Sequence, residues 1–162
     1  AIEVGMRYPG LARGLIAGGV GYKFDRAEYL QFMCQLLETD SVANFDAEHY
    51  AQKQPRVVAN WRKLHGAVYG PDAWKTLLQQ LSVLWTTPLN YTPGDFQKIT
   101  APTLIFNADR DEAFSLDEAI EMYRMIPHAE LAIAPGATHL FPMSRPDLFI
   151  APVMAFLLRQ RS

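Results

Sequence analysis

The stretch ITAPTLIFNADRDEAFS, residues 99–115, decides the fold class of this chain. Its central run TLIFN is rich in strand-forming residues and is followed directly by a cluster of acidic side chains. Ser115 and Glu118 have the spacing of a capping box, which predicts that a helix follows at once. Pro127 predicts the end of that helix, and ELAIAP, residues 130–135, predicts a second strand. Strand, helix and strand in this order are typical of the βαβ unit of a parallel sheet, so the chain is predicted to be α/β.

A helical block precedes this unit, from Asp25 to about Leu89. Apolar residues recur there at helical spacing, and no strand pattern occurs. Asp25 with Glu28 predicts a capped helix start, Asp46 predicts the cap of a short helix, and residues 70–72 (GPD) predict the start of a further helix with proline in its first turn. The block therefore predicts about four helices.

The N-terminal segment, residues 1–20, has a different pattern from the helical block. Residues 1–10 (AIEVGMRYPG) predict the end of a helix, and residues 11–20 (LARGLIAGGV) contain a short apolar run that predicts a buried strand. The chain is accordingly divided into residues 1–24, a core helix and strand, residues 25–92, the helical block, and residues 93–162, a C-terminal core.

Composition excludes several classes of protein. The chain has 162 residues, is 49% hydrophobic and carries a net charge of −2, as expected for one globular domain with a core of its own. No run of like charge favours a nucleic-acid or membrane partner, and the longest apolar run, IAPVMAFLL, is far shorter than the roughly 20 residues of a membrane span. Cys34 is the single cysteine and is interpreted as a buried thiol. A cytoplasmic location and a small, roughly neutral partner are expected.

The candidate site lies where the two predicted strands end. Asp111 follows TLIFN by four residues, and His139, in PGATHLFP, follows ELAIAP by four residues. Ligands bind outside the carboxyl ends of parallel strands, so neighbouring strands would bring this acid and this imidazole together. A carboxylate that holds one ring nitrogen prepares the other nitrogen to act as a general base. Asp109 is the alternative acid.

Other candidates are weaker. His49, His65 and His128 fall on predicted helices or at a helix end, and no catalytic role is assigned to them. A metal site built from His139 with Asp109 or Asp111 lacks the usual ligand spacing, and no cofactor is expected. At least two of the three acidic residues between positions 109 and 112 are interpreted as solvated surface.

No nucleophile is recognised in the chain. None of the five serines stands in a G-x-S-x-G turn, and Ser115 and Ser144 are interpreted as helix caps. A well-placed base without a nucleophile predicts that the site is completed from elsewhere.

A family resemblance extends this interpretation. Residues 99–115 together with residues 129–149 (AELAIAPGATHLFPMSRPDLF) resemble the final third of an α/β-hydrolase, and residues 1–20 are similar to the helix and strand that follow the nucleophile elbow of that family. The resemblance implies a partial α/β-hydrolase fold with an inserted all-helical cap. It implies Asp111 as the triad acid and His139 as the base. The nucleophile would then lie about three residues before Ala1, outside this chain.

The resemblance also implies an activity. It implies a hydrolase that cleaves an ester or related acyl bond through a Ser-His-Asp triad, with this chain alone incomplete and inactive. Trp61, Trp74 and Trp85 would be lid residues over an apolar or aromatic substrate, and the partner of this chain would be an N-terminal half of the fold or a second copy. An Asp nucleophile, C–C or amide cleavage, a non-catalytic ligand-binding member and an inactive structural fragment are the alternatives.

Two departures from the family pattern are visible. Pro152 falls inside the last predicted helix, which begins near residues 144–147, and predicts a kink there. Asn107-Ala108 stands where a glycine more often precedes the acidic pair.

Overall fold

The structure is a computed structural model that describes residues 1–23, 26–87, 89 and 91–160. The chain divides into two compact units. Residues 1–23 and 90–162 form the sheet unit, and residues 24–89 form the helical unit. Asp25 and its predicted cap lie outside the described residues, as does the side chain of Glu28.

The described part of the chain contains three strands and nine α-helices. The strands are β1 (Leu15–Gly18), β2 (Thr103–Ala108) and β3 (Ala129–Ala134). The helices are α1 (Ile2–Arg7), α2 (Arg26–Leu36), α3 (Ala47–Lys53), α4 (Pro55–Tyr69), α5 (Ala73–Thr86), α6 (Pro93–Phe96), α7 (Leu116–Met125), α8 (Phe141–Ser144) and α9 (Pro146–Arg159). A 3-10 turn spans Val42–Asn44.

The three strands form one parallel sheet in the order β1-β2-β3. Strand β2 pairs with β3 over six residues, from Thr103 opposite Ala129 to Ala108 opposite Ala134. The predicted α/β class and the strands predicted at residues 103–107 and 130–135 are confirmed. The two strands are neighbours, as the candidate site requires.

Strand β2 is the centre of the sheet unit, and every one of its residues is buried. One face of the sheet packs Ile105 with Leu15, Phe96 and Met122. The other face packs Phe106 with Leu104, Phe141 and Phe156. A parallel strand that is covered on both faces carries apolar side chains on both, which explains the unbroken apolar run LIF at residues 104–106.

The start of α7 agrees with the prediction at Ser115 and differs from it at the Glu118 side chain. Ser115 Oγ accepts a hydrogen bond from the Glu118 N–H, 3.2 Å away, so Ser115 is the cap that the sequence predicts. The Glu118 carboxylate, however, accepts from the backbone N–H groups of Tyr22 and Lys23, at 3.0 and 2.6 Å. In a capping box, the Glu118 carboxylate would accept from the backbone N–H of Ser115. Here it accepts instead from the N–H groups of the turn after β1.

The structure of the C-terminal helices contradicts the helix cap predicted at Ser144. Ser144 is the last residue of α8, and its hydroxyl donates to the Leu140 carbonyl at 3.4 Å. Arg145 occupies the N-cap of α9, so the interpretation of Ser144 as a cap was wrong. Helix α9 continues through Pro152, and its buried Phe156 packs against the sheet unit's core on the Phe106 face.

The helical unit has a core of its own, into which Trp61 and Trp74 pack. The Trp61 ring stacks on Tyr50, with centroids 5.5 Å apart, and lies 5.7 Å from the Trp74 ring. Trp74 is 1% exposed. The side chain of Trp85 lies outside the described residues. Asp46 caps α3 as predicted, because its carboxylate accepts from two backbone N–H groups at 3.0 Å.

Helix α5 begins later than the sequence predicts. It starts at Ala73, so Pro71 precedes the helix and does not occupy its first turn. Of all the helices that the structure describes, none has the length and apolar character needed to cross a membrane.

The two-sided burial of β2 predicts a large effect of truncating Phe106. Its ring stacks on Phe149 and tilts against Phe141, with centroids 5.6 and 5.1 Å away, and it is 1% exposed. Phe106→Ala is expected to lower the free energy of unfolding by about 3–5 kcal/mol because it leaves a cavity beside β2. Chemical denaturation of the full-length protein measures this change. Tyr123→Ala, at an aromatic position that is 40% exposed, is the control and should cost less than about 1 kcal/mol.

Candidate active site

Asp111 and His139 meet at the edge of the sheet where β2 and β3 end. The Nδ1 atom of His139 lies 3.0 Å from Oδ2 and 3.2 Å from Oδ1 of Asp111. This distance is within the 3.5 Å that an interacting acid and imidazole require. Asp109 is not in contact with the imidazole, so Asp111 is the acid that the geometry selects.

The Asp111 carboxylate is held on several sides. Its side chain is only 1% exposed, and Oδ1 accepts hydrogen bonds from the backbone N–H groups of Ala113 and Phe114, each at 2.9 Å. Burial alone would raise the pKa of Asp111, but the bonds from His139, Phe114 and Ala113 hold that pKa below its ordinary value. Asp111 is therefore ionised at neutral pH and accepts the hydrogen of Nδ1.

His139 is oriented with one nitrogen engaged and the other available. The charged Asp111 partner raises the pKa of His139 through the hydrogen bond, burial opposes this shift, and the charge of Glu112 adds to it. The side chain is 25% exposed, and the Phe114 ring tilts against the imidazole with centroids 5.6 Å apart. Among the described residues, no side chain forms a hydrogen bond with Nε2. The contact with Asp111 fixes the tautomer with the hydrogen on Nδ1, which leaves Nε2 as a nitrogen that can accept a proton.

The two other acidic residues of the β2 loop bind the backbone of the His139 loop. Asp109 Oδ1 accepts from the Ala137 N–H at 3.1 Å, and Glu112 Oε2 accepts from the His139 N–H at 3.1 Å. Backbone bonds from Gly136 and Ala137 lower the pKa of Asp109. Both residues are exposed, as the sequence interpretation holds, yet each makes a specific contact that the interpretation did not foresee.

Asn107, which stands where a glycine is more usual in the family, makes specific contacts in this structure. It is 1% exposed, and its Nδ2 donates to the carbonyls of Phe114 and Ser115 at 3.2 and 3.5 Å. Its Oδ1 is buried and has no hydrogen-bond partner among the described residues. The amide thus connects the end of β2 with the far end of the loop that carries Asp111.

Gly19 is a site residue that the sequence analysis missed. It directly follows β1 and has φ +56°, a conformation that favours glycine. A Cβ atom at this position would lie 3.0 Å from Cε1 and 3.3 Å from Nδ1 of His139. The backbone after β1 therefore approaches the imidazole closely only because residue 19 has no side chain. The adjacent pair Gly18-Gly19 after a predicted strand was the available signal.

An apolar cavity of about 390 Å³ adjoins His139. It is lined by Ile16, Gly18 and Gly19 on the side of β1, and by residues 139–143 and Phe149 on the other side. A cavity of this size falls within the range of small-molecule sites.

The remaining three histidines lie on other elements of the chain. His49 lies in α3 and His65 in α4, both in the helical unit. The His128 carbonyl bonds to the Thr103 N–H at the opposite end of β2 from Asp111. No group of three or more His, Cys, Asp or Glu side chains that could hold a metal ion occurs among the described residues.

The sequence also matches a known family. Residues 4–151 fit the sequence profile described as the Alpha/beta hydrolase family. This chain belongs to the alpha/beta hydrolase family. The resemblance drawn from residues 1–20, 99–115 and 129–149 is thereby confirmed. No curated protein sequence matches this alpha/beta hydrolase chain.

Solved structures share the fold of this alpha/beta hydrolase chain. NosK from Streptomyces actuosus superposes with a TM-score of 0.69 at 21% identity, over 100% of this chain and 65% of that protein. A serine-to-alanine variant of the meta-cleavage product hydrolase from Pseudomonas fluorescens IP01, complexed with acetates, has a TM-score of 0.65 at 18% identity, over 98% of this chain and 60% of that one. The enol-lactonase from Burkholderia xenovorans LB400 has a TM-score of 0.60 at 15% identity, over 97% and 60%. The chain thus spans less than two thirds of each of these proteins.

The contact between Asp111 and His139 predicts which acid controls the imidazole. In the full-length protein, Asp111→Asn is expected to lower the pKa of His139 because a neutral amide stabilises the imidazolium less than a carboxylate. NMR titration of the His139 ring resonances measures the pKa. Asp109→Asn is the matched control and should leave it unchanged, since Asp109 bonds to the backbone at Ala137. An equal fall in both variants would contradict the assignment of Asp111.

Proposed function

We propose that this chain supplies the base and the acid of a Ser-His-Asp triad in a hydrolase that cleaves an ester or a related acyl bond. The observation that carries the proposal is the hydrogen bond between Asp111 and Nδ1 of His139 at the carboxyl ends of two paired strands. Membership of the alpha/beta hydrolase family supports it, because the family resemblance implies these two roles at these two positions. A serine in a segment outside this chain is the proposed nucleophile.

The proposed reaction uses both nitrogens of His139. Nε2 takes the proton from the serine hydroxyl as its oxygen attacks the substrate carbonyl carbon. The imidazolium that forms keeps its Nδ1–H bond to Asp111, which stabilises the positive charge. Nε2 then returns the proton to the departing alcohol when the acyl–oxygen bond breaks. A water molecule, activated by the same nitrogen, releases the acid and restores the serine.

The buried state of Asp111 suits this role. A carboxylate that is 1% exposed interacts with the imidazolium through a medium of low dielectric constant, where charge stabilisation is stronger than in water. Its two backbone N–H donors, at Ala113 and Phe114, hold the carboxylate in place before the reaction begins. This geometry supports the proposal that Asp111 is already in position to stabilise the His139 imidazolium when it forms.

The proposed substrate carries an apolar or aromatic group. The cavity beside His139 is lined chiefly by glycine backbone and by apolar side chains such as Ile16, Phe141 and Phe149, so it offers little to a charged group. The enol-lactonase among the similar structures is named for an ester-type substrate, which makes an ester the first substrate class to test.

The proposed partner of the chain is the remainder of the fold. Completion of the site by an N-terminal half of the same fold is favoured over a second copy, because the similar structures extend well beyond the part that this chain covers. The helical unit is proposed to serve as the cap. Without the nucleophile, the isolated chain is proposed to be inactive.

The triad proposal predicts the kinetics of two variants. His139→Ala is expected to lower kcat on a short p-nitrophenyl ester by about 10⁴-fold or more, because no other group takes the serine proton. Asp111→Asn should lower kcat by roughly 10³- to 10⁴-fold, because the amide no longer selects the tautomer or stabilises the cation. Initial rates of the full-length protein measure both effects.

Two matched variants are the controls. His128→Ala removes an exposed imidazole at the other end of the sheet, and Asp109→Asn neutralises the neighbouring acid. Both should retain turnover within about tenfold of the unmodified protein if they remain folded. Undiminished turnover in His139→Ala would refute the proposed role of the histidine.

The raised pKa of His139 predicts the pH dependence of catalysis. A general base acts in its neutral form, so kcat/KM should rise as His139 loses its proton. Because the hydrogen bond to Asp111 raises that pKa, the acid limb should lie above the ordinary histidine value of about 6.5. A pH–rate profile of the full-length enzyme measures the limb; a midpoint below the ordinary value would contradict a base held by Asp111.

A further inference from the structure

We infer that Glu112 is a positioning residue for His139, acting through the His139 backbone N–H and through its negative charge beside the imidazole. This inference rests on the proposed function and extends it to a residue that the triad does not include. Glu112 directly follows the triad acid in sequence, so one short loop would supply two carboxylates to the same histidine.

The geometry assigns the two carboxylates different tasks. Asp111 holds the ring at Nδ1, whereas Glu112 Oε2 accepts from the main-chain N–H of the same residue at 3.1 Å. His139 is thus bound at its side chain and at its backbone by consecutive residues of one loop. The His139 loop contains Gly136, with φ +63°, and among the described residues its strand pairing ends at Ala134. The contacts with Asp111 and Glu112 therefore help to hold this loop in place.

The negative charge of Glu112 acts on the proposed proton transfer from the serine to His139. An imidazolium develops at His139 when the serine proton moves, and an anionic carboxylate nearby lowers the energy of that state. Among the described residues, the titratable groups that form hydrogen bonds with His139 are Asp111 and Glu112, both on the β2 loop. From the turn after β1, Gly19 presents only backbone, and from the β2 loop Phe114 presents an uncharged ring.

Asp111 and Glu112 differ in exposure, and therefore in how strongly salt screens their charges. Asp111 is buried, so dissolved salt screens its charge weakly. Glu112 is exposed, and salt reduces the effect of an exposed charge strongly. The contribution of Glu112 to catalysis therefore depends on ionic strength, whereas that of Asp111 does not to the same extent.

The test compares Glu112→Gln, Glu112→Ala and Asp117→Asn in the full-length protein. Glu112→Gln keeps a hydrogen-bond acceptor but removes the charge, and Glu112→Ala removes both. Asp117→Asn removes an exposed charge in the first turn of α7, from a residue with no hydrogen bond to the His139 loop among the described contacts. Each variant is measured at low and at high salt, by pH–rate profile and by kcat and KM separately.

Glu112→Gln is expected to move the acid limb of kcat/KM to lower pH and to reduce kcat by roughly 2- to 5-fold at low salt, with both effects fading at high salt. Glu112→Ala should reduce kcat further, by about 10-fold in total, with KM nearly unchanged, because the loop that carries His139 is less well held. Profiles of both Glu112 variants that coincide with that of Asp117→Asn would overturn the inference.

NMR titration of the His139 ring in the same variants gives a second measurement that needs no turnover. A lower His139 pKa in Glu112→Gln than in Asp117→Asn supports the inference, and equal pKa values overturn it. Failure of the proposed function is distinguished by His139→Ala: if that variant retains activity, the triad proposal is wrong. If it is inactive while the Glu112 variants match the control, only the inference on Glu112 is wrong.

Discussion

Strand β2 pairs with β3 in parallel over six residues, and both strands end at the same level, Ala108 opposite Ala134. Parallel pairing makes both chains leave the sheet at one edge, so the loops that follow must meet there. Asp111 and His139 are 28 residues apart in sequence, yet their side chains are 3.0 Å apart. The site depends on this pairing, because it brings together two loops that are far apart in sequence.

Among the described residues, three acidic side chains of the β2 loop then connect it to the His139 loop. Asp109 bonds to the Ala137 N–H, Glu112 to the His139 N–H, and Asp111 to the imidazole. Only Asp111 is buried, and a buried charge is stable only when it is paired and hydrogen-bonded. Its partners are the imidazole and two backbone N–H groups, so the same bonds that orient the histidine also compensate the desolvation of the acid. Folding and proposed catalysis use one set of contacts.

The turn after β1 is the third part of the site. The Glu118 carboxylate, on the first turn of α7, binds the N–H groups of Tyr22 and Lys23, and the backbone at Gly19 lies against the His139 ring. Helix α7 follows directly after the loop that carries Asp111, so the acid loop and the turn after β1 are connected through one helix. The apolar cavity beside His139 is bounded by this turn and by residues 139–143. The chain thus brings the imidazole of His139, the carboxylate of Asp111 and an apolar surface together in the sheet unit.

The amino-acid sequence by itself determined the strands at residues 103–107 and 130–135, the parallel α/β class and the family, and it paired His139 with Asp111 or, as the alternative, with Asp109. These follow from hydrophobic runs, proline and glycine punctuation and a recognisable motif, all of which are local in the chain. Only the tertiary structure decided that the Glu118 carboxylate binds the N–H groups of Tyr22 and Lys23 and that Ser144 caps no helix. It also decided that Asp111 holds the imidazole and that Gly19 and Glu112 contact His139. Such contacts join residues up to 120 positions apart, from Gly19 to His139. They depend on which groups are close in space, and no periodicity along the chain records that.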